Sequence, residues 1–194
     1  MKALPEILAE IIGTFERLDI PYVVGGSFAS SVWGHPRQTR DIDVNLWLEH
    51  GHVERLVTSF QADYLISDAE IERTLHESEE YRSFQILHIE TLFKVDAFVP
   101  HHSRFAESVL AGARRVQIVP GLEANCMSPE DVIIHKLRWF ELGNRVSDRQ
   151  WNDIVQVLDI QREQLKIDYL LKWSDHFGLK DLFLEAMRET EEAT

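Results

Sequence analysis

The chain has 194 residues, 44% of them hydrophobic, which is enough for one compact unit of two subdomains or for two small domains. Its formal net charge of −13 disfavours a broad nucleic-acid-binding surface, because so acidic a surface repels phosphate at long range. The single cysteine, Cys126, excludes an internal disulfide and is typical of a reducing compartment. The first residues lack a signal-peptide pattern and no apolar run reaches membrane-spanning length, so we expect a cytoplasmic protein with no membrane partner.

Residues 1–127 alternate between helical and strand patterns. Apolar residues at helical spacing predict a first helix from Leu4 to Leu18, and residues 22–24 predict a short buried strand. Further predicted helices cover residues 27–33, 52–60, 68–76 and 105–110. Further predicted strands cover residues 41–48, 64–66, 84–89, 91–99, 116–119 and 122–126, of which the third and fourth are close enough to form a hairpin.

After Ser128 the pattern is helical throughout. Ser128 can cap a helix, Pro129 fits its first turn, and the acids that follow favour the positive end of the helix dipole. The predicted helices cover residues 129–142, 148–160, 168–177 and 179–188. We therefore expect an α+β fold, in which an α/β part (residues 1–127) precedes a helical part (residues 128–194).

Three carboxylates mark a candidate metal site. Asp41 and Asp43 are two residues apart in a predicted strand, so they point to one face of it. Asp96 lies in a second predicted strand, where Lys94 shares its face and is a candidate ion-pair partner. If the two strands are neighbours, the carboxylates meet, and a cation is needed to offset their repulsion. Hard oxygen ligands favour a divalent ion of Mg²⁺ type, whose shell a nucleotide phosphate would complete.

A glycine turn precedes the acidic pair. The strand before it ends in Gly25-Gly26 and a predicted helix begins at Ser27, so N–H groups and a hydroxyl would face an anion such as phosphate. Alone, such a turn is more often only a tight turn, and alternating acids are common on surface strands. Thirteen residues separate Ser27 from Asp41, which leaves room for one short helix and a turn. The combination favours joint binding of a metal and a triphosphate.

These motifs, at residues 25–27, 41–43 and Asp96, resemble the nucleotidyltransferase superfamily of polymerase β type. The signature of that superfamily is a glycine turn, an acidic pair and a later single aspartate. Residues 128–137 and 148–154 resemble the helical tail of bacterial AbiEii-like nucleotidyltransferases, some of which are toxins of toxin–antitoxin systems. The resemblance implies a small mixed β-sheet nucleotidyltransferase core flanked by helices and followed by a C-terminal helical bundle.

The resemblance also implies which residues bind the substrate and the metal. Gly25, Gly26 and Ser27 would bind the nucleotide, the last two at its β and γ phosphates. The cofactor would be Mg²⁺, with Mn²⁺ as the alternative, and the substrate a nucleoside triphosphate. The metal ligands and catalytic carboxylates would be Asp41, Asp43 and Asp96. The third of these would also help to deprotonate the attacking hydroxyl of the acceptor.

In the helical part, the resemblance places Lys136 and Asp153 at the nucleotide. Lys136 would also be catalytic, since negative charge moves to the leaving pyrophosphate in the transition state. The alternative for Lys136 is an exposed position on the helix surface. The alternative for Asp153 is an ion pair with Arg149, four residues before it on a predicted helix.

The loop before the acidic pair carries Arg37, Thr39 and Arg40. These side chains would reach the phosphates or the base of a nucleotide, or would only balance the acids nearby. Both interpretations stay open at the level of the sequence.

Three functions fit these residues. The first is an enzyme that transfers a nucleoside monophosphate from a nucleoside triphosphate to an acceptor hydroxyl. The second is a toxin–antitoxin or phage-defence nucleotidyltransferase that acts on tRNA or protein and has an antitoxin partner. In that case a basic cleft would take one end of the tRNA, formed by Arg37, Arg40, Lys136, Arg138, Arg145 and Arg149. The third is an inactive nucleotide-binding module. No motif distinguishes a small-molecule acceptor from a tRNA end or a protein.

Overall fold

The structure, a computed structural model, describes residues 2–39 and 41–192. Within them lie nine α-helices, one 3₁₀ turn and a seven-stranded mixed sheet, which confirms the α+β class. The chain divides into two compact units, of which the first comprises Met1–Gly25 and Thr39–Cys126. The second comprises Gly26–Gln38 and Met127–Thr194, so the segment after the glycine pair belongs with the helical part. The domain boundary expected near Ser128 stays a prediction.

The order of the elements follows the predicted order closely. The helices are α1 (Leu4–Arg17), α2 (Gly26–Trp33), α3 (His50–Phe60), α4 (Asp68–His76), α5 (Arg104–Gly112), α6 (Pro129–Leu142), α7 (Asp148–Gln161), α8 (Ile167–His176) and α9 (Lys180–Glu192). The strands are β1 (Tyr22–Val24), β2 (Asp41–Leu46), β3 (Tyr64–Leu65), β4 (Ser83–His88), β5 (Lys94–Phe98), β6 (Arg114–Val119) and β7 (Leu122–Cys126).

One difference is the start of β5, three residues later than predicted. Leu92 has a φ of 57°, and its N–H donates to the carbonyl of His88, so residues 89–93 form the turn of the hairpin instead of extended strand. β4 and β5 pair antiparallel across this turn, which confirms the predicted hairpin.

The sheet of the first unit has the order β3-β4-β5-β2-β1-β7-β6. β2 lies in its middle, antiparallel to β1 and parallel to β5. A parallel neighbour cannot be reached by a tight turn, and the chain from β2 to β5 passes through α3, β3, α4 and β4 before it returns. This crossover brings two strands that are distant in sequence side by side.

Burial alternates along β2 because successive side chains point to opposite faces of the sheet. Ile42, Val44 and Leu46 are completely buried, whereas the residues between them are half-buried. Helix α1 buries the apolar stripe predicted from its spacing and contacts both α3 and β7. Full burial of one such aliphatic side chain contributes about 1.5–3 kcal/mol, so this core fixes which face of β2 points away from it.

The second unit is built around α6, which packs against α2, α7 and α8. The hydroxyl of Ser128 accepts a hydrogen bond from the N–H of Asp131 (3.1 Å), which confirms the predicted helix cap. Trp33, at the end of α2, donates from its indole to the carbonyl of Met127 (2.7 Å). These contacts join residues 26–38 to the helical part. Among residues 2–39 and 41–192, no helix is both long and apolar enough to cross a membrane.

Candidate functional site: a carboxylate cluster and a buried ion-pair network

The first unit brings Asp41, Asp43 and Asp96 to one face of its sheet. β2 and β5 are neighbours, as the sequence analysis expected, and their parallel register sets Asp43 opposite Asp96 and Asp41 opposite Lys94. Residues directly opposite each other on neighbouring strands point to the same face of the sheet. The other face of both strands is buried in the core. The apolar residues that alternate with the acids therefore force the acids onto the outer face.

The ammonium group of Lys94 lies within this carboxylate cluster. Its Nζ is 2.6 Å from Oδ2 of Asp96, which confirms the ion pair expected from the sequence. The pKa of Lys94 is raised by the hydrogen bond to Asp96 and by the charges of Asp96, Asp41 and Asp43, which together outweigh the effect of burial. All three carboxylates thus act on one cation.

Polar neighbours hold two of the carboxylates in place. The Thr39 hydroxyl donates to Oδ1 of Asp41 (2.9 Å) and to its carbonyl oxygen (3.0 Å), and Gln85 donates from Nε2 to Oδ1 of Asp96 (3.0 Å). Thr39, proposed from the sequence to reach the nucleotide, thus contacts an acid of the cluster. Gln85 was missed by sequence reasoning, although its outward position on the strand next to β5 was a usable signal.

The cluster has the donor type of a divalent-metal site, although the ligand atoms of its three acids do not all lie within 4.8 Å of one another. It offers several carboxylate oxygens on one face, the donor type that Mg²⁺ and Mn²⁺ prefer. The charges of all three acids act on the ammonium group of Lys94, so the outer face of these two strands already attracts a cation.

Replacing Lys94 with methionine tests this account. The variant removes a cation on which all three acids act, so we expect stability in EDTA to fall by about 1 kcal/mol and Mg²⁺ to restore more stability than in the wild type. The measurement is thermal unfolding with and without Mg²⁺.

Lys2→Met is the matched control, because Lys2 also pairs with two carboxylates, those of Glu10 and Asp63. It should lose stability without gaining a response to Mg²⁺. An equal Mg²⁺ response in both variants would contradict a metal site at the carboxylate cluster.

The glycine turn is tied to the acidic strand by its backbone. The N–H of Gly25 donates to the carbonyl oxygen of Asp43 (2.8 Å), which extends the pairing of β1 with β2. The next residue, Gly26, has a φ of 53° and begins α2. This left-handed conformation costs a residue with a Cβ about 1–2 kcal/mol, so glycine is the favourable residue there.

In the second unit, Asp153 is the centre of a buried ion-pair network. Its Oδ2 lies 2.7 Å from Nζ of Lys136, and Arg37 donates to both carboxylate oxygens, from Nε (3.2 Å) and Nη2 (3.0 Å). Arg37 also donates from Nη2 to the Ser27 hydroxyl (2.6 Å), and the hydroxyl of Ser30 donates to Asp153 (3.3 Å). Residues from α2, the following loop, α6 and α7 thus meet at one carboxylate.

Charge holds the carboxylate of Asp153 in its ionised form. Burial alone would raise its pKa, but hydrogen bonds from Arg37 and Lys136, and the charges of both, lower it below its usual value. Two cations around one carboxylate leave a net positive charge among these three residues, which favours an anion nearby.

The network bears on the alternatives left open by the sequence, although nucleotide binding by these residues stays a prediction. Lys136 is only 4% exposed, so an exposed position on the helix surface is wrong. Asp153 pairs with Arg37 and Lys136, and not with Arg149 as the alternative for this residue held. Arg37 balances an acid, as one interpretation held, but that acid lies 116 residues away in sequence. Its side chain remains 25% exposed.

The basic cleft suggested for a tRNA end is largely committed to contacts inside the second unit. The guanidinium of Arg138 lies 4.1 Å from the ring centre of Phe177, and Arg145 pairs with Glu141 one helical turn away. Arg37 and Lys136 belong to the network around Asp153. The remaining candidates are Arg149 and Arg40, the second of which lies outside the described residues.

Comparison with known proteins gives a likeness in structure only. No protein-family model and no curated protein sequence matches the chain. The crystal structure of ANT(2'')-Ia in complex with adenylyl-2''-tobramycin is similar with a TM-score of 0.60 and 14% identity, over 88% of this chain and 97% of that one. The solution structure of the same antibiotic-resistance factor gives a TM-score of 0.58 at 14% identity, over 94% and 95% of the two chains.

A second enzyme is similar as well. The lincosamide antibiotic adenylyltransferase LnuA, solved with lincomycin bound, has a TM-score of 0.50 and 16% identity, over 79% of this chain and 95% of that one. Identities this low establish a common fold and leave activity to be argued from the site. The chain has the fold of these nucleotidyltransferases.

Proposed function

We propose that the protein is a metal-dependent nucleotidyltransferase, which transfers a nucleoside monophosphate from a nucleoside triphosphate to an acceptor hydroxyl. The observation that carries this proposal is the register of β2 and β5, which sets Asp43 beside Asp96 and puts Asp41 on the same face. Carboxylate oxygens gathered on one face are the ligands that a hard divalent cation prefers, and the position of the Lys94 ammonium among them shows that they attract positive charge. The shared fold with ANT(2'')-Ia and LnuA supports the same conclusion.

In this proposal Asp41, Asp43 and Asp96 hold Mg²⁺ or Mn²⁺, which would neutralise phosphate charge when bound. The acceptor oxygen attacks the α-phosphorus, the bond from that phosphorus to the bridging oxygen breaks, and pyrophosphate leaves with the electron pair. Asp96 accepts the proton of the attacking hydroxyl. Lys94 and Gln85 hold this carboxylate in place, and Thr39 orients Asp41.

The nucleotide-binding residues of the proposal are Gly25, Gly26, Ser27 and Arg37, with Lys136 and Asp153. Free N–H groups at the start of α2 suit phosphate oxygens. The partly exposed guanidinium of Arg37 would bind phosphate, while the buried pair of Lys136 and Asp153 positions it. Lys136 then acts on the leaving pyrophosphate through its charge.

For the acceptor we propose a small molecule with a hydroxyl group. ANT(2'')-Ia was solved in complex with adenylyl-2''-tobramycin, and LnuA is described as a lincosamide antibiotic adenylyltransferase. The net charge of −13 favours a cationic acceptor over an anionic one. The AbiEii-like alternative, with a tRNA end or a protein as the acceptor and an antitoxin as the partner, would need basic surface, to which Arg138 on the ring of Phe177 and Arg145 paired with Glu141 contribute less.

The test is incubation of the purified chain with ATP labelled at the α-phosphate, Mg²⁺ and a panel of hydroxyl compounds that includes cationic antibiotics, tRNA and protein. We expect the label in a small-molecule product, release of unlabelled pyrophosphate, and no product in EDTA. Label in tRNA or protein would support the AbiEii-like alternative. Tight nucleotide binding without product from any acceptor would favour the inactive module, and no nucleotide binding at all would contradict the proposal.

A further inference from the structure

We propose that His50, Glu72 and His76 form a second metal site, which takes a transition-metal ion of Zn²⁺ type and is distinct from the carboxylate cluster. The possible ligand atoms of these three residues all lie within 4.8 Å of one another. All three residues belong to the first unit, on helices α3 and α4. The proposed nucleotidyl transfer does not use them, so the two proposals can fail separately.

Local structure determines this convergence. Glu72 and His76 are four residues apart on α4, so they lie one turn apart on the same face of the helix. His50 is the first residue of α3, and its Nδ1 lies 2.6 Å from Oε2 of Glu72. The imidazole rings of His50 and His76 are 5.1 Å apart between centres. Each pair is therefore close enough for a small cation to draw the three ligand atoms together.

The starts of both helices that carry the ligands are held by hydrogen bonds. Ser67 caps α4 by accepting from the N–H of Glu70 (3.2 Å), which fixes the first turn before Glu72. The N–H of Glu49 donates to Nδ1 of His52 (3.1 Å) around the start of α3. The ligands thus come from regular helices, whose backbone positions vary less than those of a loop.

The donor set predicts the kind of metal. Two imidazole nitrogens and one carboxylate oxygen suit Zn²⁺, Ni²⁺, Co²⁺ and Cu²⁺, whereas Mg²⁺ prefers oxygen ligands alone. Three protein ligands leave a coordination position for water, as in zinc sites that are open to other ligands. The carboxylate cluster, which has only oxygen donors, should have the opposite preference.

The charges around the site also favour a cation. The groove between α3 and α4 is lined by three acids, Glu54, Asp68 and Glu72, and by His50, with no lysine or arginine among the described residues that line it. Arg73, which follows Glu72 on α4, forms an ion pair with Glu77. A metal ion would replace the contact of His50 with Glu72 by stronger coordinate bonds to both side chains.

The experiment uses the full chain, stripped of metal with EDTA and dialysed. Zn²⁺ is titrated calorimetrically, and Co²⁺ is titrated by its visible absorption, with Mg²⁺ in excess. We expect one equivalent of either ion to bind, a change in the Co²⁺ spectrum typical of nitrogen ligation, and a rise in Tm with Zn²⁺. His50→Ala and His76→Ala should each weaken Zn²⁺ binding roughly 100-fold. This is the upper end of the loss that follows when a residue hydrogen-bonded to a metal ligand is replaced, because these variants remove a ligand itself.

Two controls keep the result specific. His102→Ala removes another exposed histidine of the first unit and should leave Zn²⁺ binding unchanged. Asp43→Asn alters the carboxylate cluster and should also leave it unchanged. Because the side chain of His50 is 59% exposed, its truncation leaves the core intact, which circular dichroism checks. Absence of Zn²⁺ binding, binding unchanged in both alanine variants, or displacement of Co²⁺ by Mg²⁺ would overturn the proposal.

Discussion

Replacing Asp43 with asparagine is expected to lower the kcat for nucleotidyl transfer by ~10³-fold or more, because a metal ion supplies several kcal/mol of transition-state stabilisation and each 1.36 kcal/mol is tenfold in rate. Asp43 is opposite Asp96 in the register of β2 and β5, so it stands at the centre of the proposed metal site. Asparagine keeps the shape and one oxygen of the side chain but removes its charge. The loss should therefore appear in catalysis and in Mg²⁺ affinity, with the fold retained.

The same change has an opposite effect on stability. Without metal, the negative charges of Asp43 and Asp96 lie at directly opposite positions of the two strands, and like charges placed so close repel each other. Asp43→Asn should thus unfold at a slightly higher temperature than the wild type in EDTA, and at a lower one in saturating Mg²⁺. Replacing a residue whose only role is in folding would not lower activity and raise stability at the same time.

The matched control is Glu107→Gln, which neutralises an exposed acid on α5 of the same unit. It should keep full activity and the wild-type response to Mg²⁺. The measurements are initial rates of transfer over a range of Mg²⁺ concentrations and thermal unfolding with and without the ion. Full activity of Asp43→Asn in Mg²⁺ would remove the carboxylate cluster from the mechanism.

The carboxylate cluster was predictable because its information is local. In β2 and β5 the alternation of apolar and acidic residues determines the outward face, since a shift of one residue would expose Ile42 and Val44. Local pattern does not determine whether the two strands pair. A strand that has one buried face and a glycine turn beside it can, however, occupy only a few positions in a small sheet. The same alternation along β5 places Lys94 on the face of Asp96, so their ion pair was also predictable.

The network in the second unit was not predictable in this way. Arg37 meets Asp153 across 116 residues, and no periodicity relates a loop to a position on a later helix. The burial of Lys136 was missed for a different reason. Helical spacing predicts one apolar face, but α6 is covered by α2, α7 and α8, so even its polar positions are buried. Tertiary packing, not local pattern, decides such positions.

The two units each hold a charged cluster, and the clusters differ in the sign of the charge at their centre. In the first unit Asp41, Asp43 and Asp96 act on the ammonium group of Lys94, and in the second unit Arg37 and Lys136 act on the carboxylate of Asp153. The first arrangement leaves negative charge that suits a metal ion, and the second leaves positive charge that suits phosphate. Lys94 is thus the counter-ion of the three acids in the first unit, and Asp153 is the counter-ion of Arg37 and Lys136 in the second.

Asp153→Ala is therefore expected to destabilise the protein by about 3–5 kcal/mol, because it leaves the buried ammonium of Lys136 without its carboxylate partner. Urea unfolding of the full chain measures the loss. The control is Asp159→Ala on the same helix, whose carboxylate is 59% exposed beside Arg162 and should cost less than about 0.5 kcal/mol. If charge is the cause, Lys136→Met in the Asp153→Ala background should recover part of the stability.

The pH dependence of this loss has a definite sign. The pKa of Asp153 is lower in the folded chain than its ordinary value of 3.8, so its carboxylate stabilises the folded state at every pH above that value. This stabilisation falls as the pH drops through the lower, folded pKa, where the native carboxylate gains a proton. The difference in unfolding free energy between wild type and Asp153→Ala should be constant near neutral pH and shrink below about pH 4. A difference that stays unchanged down to pH 2 would mean that lost packing, and not the ion pair, accounts for the cost.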